Sequence, residues 1–153
     1  MSAINTTAPD FTLRDHNRDT HTLSEHQGGR VVLAFFPAAF TGVCEKEMCT
    51  FRDGMAALEG LNATVFGISV DAPWSNAAFV AKNQLNFSLL SDYSRSTIQA
   101  YGVALENFAG MDGYTVAQRS VFIIDEKGVI VYEWIAPNPG VEPNYDEIQA
   151  FLR

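Results

Sequence analysis

Cysteine is scarce in this sequence of 153 residues, which contains only Cys44 and Cys49. A small secreted domain that depends on disulfides usually carries more cysteines, and they join distant segments of the chain. A bridge between residues this close would enclose a very small loop, so it would constrain the unfolded chain little. The two thiols therefore favour a reducing compartment and a chemical use, and we expect a cytoplasmic protein.

Long apolar runs and basic residues are also few. No stretch approaches the ~18 consecutive apolar residues of a membrane-spanning helix. Residues 1–13 lack the basic start and the apolar core of a signal peptide. The formal net charge is −8, and a field of this sign repels phosphate backbones. We therefore expect neither a membrane nor a nucleic acid as a partner.

The rest of the composition is that of an ordinary folded domain. Hydrophobic residues make up 47% of the chain and charged residues 18%, which excludes disordered and fibrous classes. A chain of this length buries enough surface for one core. Because no linker rich in proline, glycine or serine divides it, we expect a single domain over residues 1–153.

Hydrophobic patterning predicts alternating strands and helices. Continuous apolar runs predict buried strands at 31–36, 64–70, 87–90, 120–125 and 129–134. The last two are joined by a short connection containing Gly128, which is typical of a β-hairpin. Helices are predicted from residue 41 or 42 to about Leu61, and at 71–84, 94–101 and 145–152. This order predicts an α/β fold with a central mixed β-sheet and helices on both faces.

The first predicted helix carries an apolar stripe at spacings of three and four, formed by Met48, Phe51, Met55 and Leu58. Thr41 precedes this helix at the N-cap position.

Cys44 is therefore placed at or just inside the start of that helix. Unpaired N–H groups and the positive end of the helix dipole stabilise a thiolate there, and the thiolate is the form in which a thiol attacks. From the spacing alone, a buried small apolar residue is an equally good interpretation of Cys44.

The residues around Cys44 resemble the active-site motif of the peroxiredoxins. Pro37, Thr41 and Cys44 form Pro-x-x-x-Thr-x-x-Cys directly after a buried strand and at a helix start. Residues 35–44 are similar to the AhpE type, and residues 44–53 are similar to the Prx Q, or bacterioferritin-comigratory, type. The resemblance covers nearly the whole chain. It implies a thioredoxin-like fold and a thiol-dependent peroxidase without a cofactor or metal.

The resemblance also implies a role for each residue of the motif. Cys44 would attack hydrogen peroxide or an organic hydroperoxide and become a sulfenic acid. Thr41 would place its hydroxyl beside the sulfur and the peroxide, although an N-cap alone would explain it. Pro37 would shield the pocket from water, although the end of a strand would explain it equally.

Two charged residues complete the implied site. Arg119 precedes the strand that begins at Ser120 and occupies the place of the family's active-site arginine. It would stabilise the thiolate and donate to the peroxide, whereas the alternative is an exposed arginine at a strand start. Glu47 lies three residues after Cys44, and we expect it to orient Arg119. A solvated acid in the first turns is the alternative for Glu47.

Cys49 follows Cys44 at the spacing of the resolving cysteine in Prx Q-type proteins, so the resemblance implies an intramolecular disulfide. In an intact helix their Cα atoms would lie roughly 8–9 Å apart, beyond the ~7 Å limit for bridging. Resolution therefore requires the first turns to unwind. The alternative is a one-cysteine, AhpE-like enzyme with an external resolving thiol. A thioredoxin-like or glutaredoxin-like reductant is implied, and the chain would be a monomer or a homodimer.

Two other functions share this fold. A thiol–disulfide oxidoreductase normally has Cys-x-x-Cys, whereas this sequence has Cys-x-x-x-x-Cys. A peroxide sensor or holdase, in which oxidation of Cys44 changes a partner, stays open because its first chemical step is identical.

Other conspicuous residues are assigned no chemistry. His16, His21 and His26 lack a converging ligand set, so we expect solvated loop histidines rather than a metal site. Trp74 and Trp134 are expected in the core or an interface rather than in a cofactor site.

Overall fold

The computed structural model describes residues 2–59 and 62–152, apart from the side chains of residues 55–59. In this part of the chain, nine strands and four α-helices follow one another. They are β1 Thr12–Asp15, β2 Thr20–Thr22, β3 Arg30–Phe35, α1 Gly42–Glu59, β4 Ala63–Ser69, α2 Pro73–Asn83, β5 Ser88–Ser91, α3 Ser96–Ala100, β6 Ala104–Leu105, β7 Val116–Ala117, β8 Ser120–Ile124, β9 Ile130–Ile135 and α4 Tyr145–Leu152. None of the described helices has the length and apolar character needed to cross a membrane.

Seven of the described strands form one mixed sheet in the order β2-β1-β5-β4-β3-β8-β9. Strands β3, β4 and β5 are parallel, and the other neighbouring pairs are antiparallel. The predicted mixed sheet is confirmed, and β8 and β9 form the predicted hairpin. Strands β6 and β7 form a separate antiparallel pair.

Strand β3 shows how the sheet is covered on both faces. Its odd-numbered residues pack into an apolar cluster with Ile98 of α3. Val32 and Ala34 pack into a second cluster with Met48 of α1, Phe79 of α2 and Ile148 of α4. Because successive side chains of a strand point to opposite faces, helices lie against both faces, as predicted.

The end of β3 and the start of α1 follow from local chemistry. Pro37 has no backbone N–H to extend the ladder, so the chain leaves the sheet at this residue. Residues 37–41, here called the 37–41 turn, connect the strand to the helix. The amide of Glu45 donates to the carbonyl of Thr41 at 2.9 Å, which makes Thr41 the N-cap position. Cys44 is thus the third residue of α1.

Most predicted elements are confirmed within two residues at each end. Met48 and Phe51 are buried as predicted. The side chains of Met55 and Leu58 and the predicted helix end at Leu61 lie outside the described residues. Strands β1, β2, β6 and β7 were not predicted, because they are only two to four residues long and have no extended apolar pattern.

The prediction of solvated loop histidines is wrong, because His16, His21 and His26 are all half-buried. His21 belongs to β2, and its Nε2 donates to the nearly buried Asp15 carboxylate at 2.7 Å. His16 Nδ1 accepts the amide of Leu89 at 3.4 Å. The first contact joins the two strands of the first hairpin, and the second joins this hairpin to β5. Spacing in the sequence does not reveal these roles.

Candidate active site

Cys44 is buried at the start of α1, with 1% of its surface exposed. Its Sγ accepts a hydrogen bond from Nη2 of Arg119 at 3.1 Å. The sulfur therefore lies between the N-terminal end of a helix and a guanidinium group. Both carry positive charge.

Arg119 is held on three sides. Besides Cys44, its Nη1 donates to Oε1 of Glu47 at 2.7 Å, and its Nε donates to the carbonyl of Pro139 at 3.1 Å. The side chain is only 2% exposed, so the alternative of an exposed arginine at a strand start is wrong. A guanidinium has five N–H donors, and these three contacts leave two of them for a further acceptor.

Glu47 is fully buried beside Arg119. Burial raises the pKa of Glu47 to about 7, against the opposing effect of Arg119. Burial works against the charge of Arg119 too, but Glu47 and Cys44 outweigh it and hold the pKa of Arg119 above its ordinary value. The alternative of a solvated acid is therefore wrong for Glu47. Its Oε2 has no hydrogen-bond partner among the described residues.

Thr41 is half-buried at the end of the 37–41 turn, and Pro37 at its start is buried. The Thr41 hydroxyl donates to the carbonyl of Ala38 at 2.7 Å. Because that bond uses the hydroxyl proton, the lone pairs of the oxygen are left to accept a hydrogen bond.

Phe40 occupies the middle of this turn with a φ of 67°. Its ring packs edge-on against Phe79 at 5.2 Å between ring centroids, and 47% of its surface stays exposed. Phe40 thus forms part of the protein surface next to the start of α1.

Cys49 is half-buried, and its thiol donates to Oδ1 of Asn83 at 3.5 Å. Both Cys44 and Cys49 are free thiols. They lie in one continuous helix, and the structure does not bring the two sulfurs together as a bonded pair. A disulfide between them requires the first turns of α1 to unwind, because residues five apart in a helix are too distant to bridge.

Sequence reasoning missed two groups that hold the site in place. The carbonyl of Pro139 fixes Arg119, and a backbone acceptor leaves no trace in residue identity. The carboxylate of Asp71 accepts the amide of Ala39 in the 37–41 turn at 2.8 Å. The position of Asp71 directly after a buried strand was a possible signal for a functional residue.

The contact between Arg119 and the Cys44 sulfur points to chemistry at the thiol, and the class of protein that combines this site with such a fold is the thiol-dependent peroxidases. The chain belongs to the AhpC/TSA family, the peroxiredoxins, whose family model matches residues 4–133. Members of this family are thiol-dependent peroxidases that act on hydroperoxides with thiol reductants, and this protein is such an enzyme.

Individual relatives agree with this assignment. Alkyl hydroperoxide reductase E of Mycobacterium tuberculosis is 38% identical over 133 residues, which cover 85% of this chain and 83% of that protein. The putative peroxiredoxin bcp of Haemophilus influenzae is 37% identical over 130 residues, covering 84% and 83%. The crystal structure of peroxidoxin BcpB from Mycobacterium tuberculosis has a TM-score of 0.87 at 28% identity and covers 99% of this chain and 97% of that one.

Proposed function

We propose that Cys44 is the residue that attacks the hydroperoxide. The observation that carries this assignment is the contact of 3.1 Å between Nη2 of Arg119 and Sγ of Cys44. Hydrogen bonds from a charged donor are roughly twice as strong as neutral ones. The guanidinium and the N-terminus of α1 together favour the thiolate.

In the first step, the thiolate of Cys44 attacks the terminal oxygen of the hydroperoxide. An S–O bond forms, the O–O bond breaks, and the leaving alkoxide or hydroxide takes a proton from solvent. Cys44 is oxidised to a sulfenic acid while the peroxide is reduced to an alcohol or water. The site must therefore orient the peroxide and stabilise the charge that develops on the leaving oxygen.

The neighbouring residues divide these tasks. The two remaining N–H donors of Arg119 bind the peroxide oxygens, and the Thr41 hydroxyl accepts the peroxide hydrogen. Glu47 holds the guanidinium plane in place through its contact of 2.7 Å. Pro37 excludes water from the pocket without adding a backbone donor of its own.

In the second step, we propose that the thiol of Cys49 attacks the sulfenic sulfur of Cys44. An S–S bond forms and water leaves. A thioredoxin-like or glutaredoxin-like dithiol then reduces the disulfide. The first turns of α1 must open for this step, and the contact between Cys49 and Asn83 must break.

A cytoplasmic location is part of the proposal, because two cysteines this close suit a chemical use rather than a structural disulfide. The assembly is proposed to be a monomer or a homodimer, and sedimentation velocity distinguishes the two.

Stopped-flow fluorescence of the reduced protein mixed with hydrogen peroxide tests both steps. We expect Cys44→Ser to abolish rapid peroxide consumption, and Cys49→Ser to keep the first step but accumulate the sulfenic acid. If Cys44→Ser consumes peroxide at the wild-type rate, the assignment of Cys44 is wrong.

Mass spectrometry after one equivalent of peroxide separates the two resolution routes. A mass loss of two hydrogens from the wild-type protein is expected for the Cys44–Cys49 disulfide. A persistent Cys44 sulfenic acid beside a free Cys49 would show resolution by an external thiol instead.

A further inference from the structure

Asp71 makes no contact with the reacting sulfur among the described residues, but it holds the backbone of the 37–41 turn. Its Oδ2 accepts the amide of Ala39 at 2.8 Å. Ala39 lies two residues before Thr41, whose hydroxyl is proposed to meet the peroxide. A side chain at the end of β4 therefore reaches across to the turn that precedes the reactive helix.

The carboxylate of Asp71 is itself anchored to the central sheet. Ser69 Oγ donates to Oδ2 of Asp71 at 2.8 Å and accepts the Asp71 amide at 3.2 Å. Ser91 Oγ donates to the Asp71 carbonyl at 2.6 Å. Both serines are fully buried and end the parallel strands β4 and β5. Groups supported by packed strands are placed more precisely than groups on loops.

The turn needs such support because its backbone is strained. Phe40 has a φ of 67°, a region that aromatic residues rarely adopt. Conformations of this kind persist only where the surroundings fix them. Here the bond from Ala39 to Asp71 fixes one side of Phe40, and the bond from Thr41 to the Ala38 carbonyl spans it.

We propose that Asp71 is a positioning residue for the peroxidase reaction, which keeps Thr41 and the start of α1 in the geometry needed for attack on the peroxide. This inference rests on the proposed role of Cys44. Asp71 acts through the hydrogen bond to Ala39, so its acceptor oxygen matters and its charge does not.

The consequence differs between the two chemical steps. Loss of the acceptor lets the 37–41 turn relax, which misplaces Thr41 and slows oxidation of Cys44. Disulfide formation requires the start of α1 to open, so the same loss leaves that step as fast as in the wild type or faster. A general loss of stability does not produce this opposite response of the two steps.

The test compares Asp71→Ala with Asp71→Asn, which keeps an acceptor oxygen but removes the charge. Stopped-flow fluorescence measures the rate constant for Cys44 oxidation and then the rate of disulfide formation. We expect Asp71→Ala to lower the first rate constant about tenfold or more, because misplacement by about 1 Å costs up to about 10²-fold. Asp71→Asn is expected to restore it close to the wild-type value.

Asp10→Ala serves as the matched control. Like Asp71, Asp10 accepts backbone amides through its carboxylate, those of Phe11 and Ser24. Among the described residues, its side chain has no hydrogen bond to the proposed site. We expect this variant to lower the melting temperature while leaving the rate of Cys44 oxidation unchanged.

Two results would overturn the proposal: a wild-type rate of Cys44 oxidation in Asp71→Ala, or a loss in Asp71→Asn as large as in Asp71→Ala. If Asp71→Ala does not fold, Ser69→Ala is tested in its place, because Ser69 holds the Asp71 carboxylate. We expect a lower rate constant for Cys44 oxidation in this variant, and an unchanged rate constant would count against the proposal. Failure of Cys44 itself is recognised separately, since Cys44→Ser would then keep its peroxidase activity.

Discussion

Nη2 of Arg119 donates to Sγ of Cys44 across a separation of 75 residues in the chain. The contact joins the residue before β8 to the first turn of α1, and the pairing of β3 with β8 brings these two places together. Phe35, the last residue of β3, pairs with Ser120, the first residue of β8. The end of β3 therefore leads to Cys44, and the start of β8 brings Arg119 beside it.

This geometry predicts that lysine cannot replace Arg119. A single ammonium lacks the planar fork that reaches Cys44, Glu47 and the Pro139 carbonyl at once. We expect Arg119→Lys to lower the rate constant for Cys44 oxidation by about 10²-fold or more, as for loss of one donor in an oxyanion site. Arg30→Lys, which changes only a surface contact with Glu126, is the control in the same stopped-flow assay. A rate for Arg119→Lys within a few-fold of wild type would contradict the prediction.

The buried carboxyl of Glu47 predicts a distinctive dependence of stability on pH. Its pKa is about 7 in the folded protein, against an ordinary value of 4.5. Between these values the folded state keeps a proton that the unfolded state has lost, so stability falls as pH rises. Glu47→Gln removes this effect. The difference in free energy of unfolding, Glu47→Gln minus wild type, should therefore increase by about 3 kcal/mol from pH ~4 to pH ~8. This follows from ~1.4 kcal/mol for each unit by which the pKa of Glu47 is raised.

Urea unfolding at several pH values measures this change, and Glu126→Gln is an informative control. The Glu126 carboxylate accepts hydrogen bonds from its own backbone amide and from Arg30, and these bonds lower its pKa. The stability that Glu126 contributes is present above its unfolded pKa and is lost on acidification. Glu126→Gln should therefore become less stable than the wild type as pH rises, opposite to Glu47→Gln. Equal slopes for the two variants would be incompatible with a buried, raised pKa at Glu47.

Much of the site could be predicted from the sequence because Pro37, Thr41 and Cys44 lie within eight consecutive residues between a clear strand and a clear helix. Arg119 could not be identified as a site residue from local sequence patterns. A lone arginine at a strand start shows no sign of burial, and only the family resemblance singled it out. Its burial depends on the β3–β8 pairing, a long-range contact that local patterns do not encode.

Surface and packing details were less predictable still. Trp74 was expected in the core or an interface, but its side chain is 66% exposed, so a place in the core is wrong. It is the second residue of α2, with the Arg18 guanidinium 5.5 Å from the centre of its ring. Hydrophobicity alone does not tell which face of a short helix a large aromatic residue occupies.

The two phenylalanines beside the 37–41 turn should differ in their contributions to stability. Phe79 is fully buried and packs against Phe36 and Phe40, whereas Phe40 is nearly half exposed. We expect Phe79→Ala to reduce the free energy of unfolding by about 3–5 kcal/mol through the cavity it leaves. Phe40→Ala should reduce it by about 1 kcal/mol or less. Urea unfolding compares the two variants, and similar losses would show that Phe40 is covered in solution.

Two surface ion pairs hold the first turns of α1 and should oppose its opening. Glu45 contacts Lys82 of α2, and Lys46 contacts Glu142 before α4, each at 3.1 Å. If the disulfide between Cys44 and Cys49 requires these turns to unwind, both pairs must break first. Exposed pairs contribute little to stability, so removing one should raise the rate of disulfide formation by no more than about fivefold.

We expect Lys82→Gln and Glu142→Gln each to speed the second phase in stopped-flow fluorescence, and the double variant to speed it further. Added salt should raise the rate of disulfide formation more in the wild-type protein than in the double variant, because salt screens exposed charges. Arg30→Gln breaks a comparable pair away from α1 and should leave this phase unchanged. A double variant with the wild-type rate and the wild-type salt dependence would show that these two ion pairs do not limit the opening of α1.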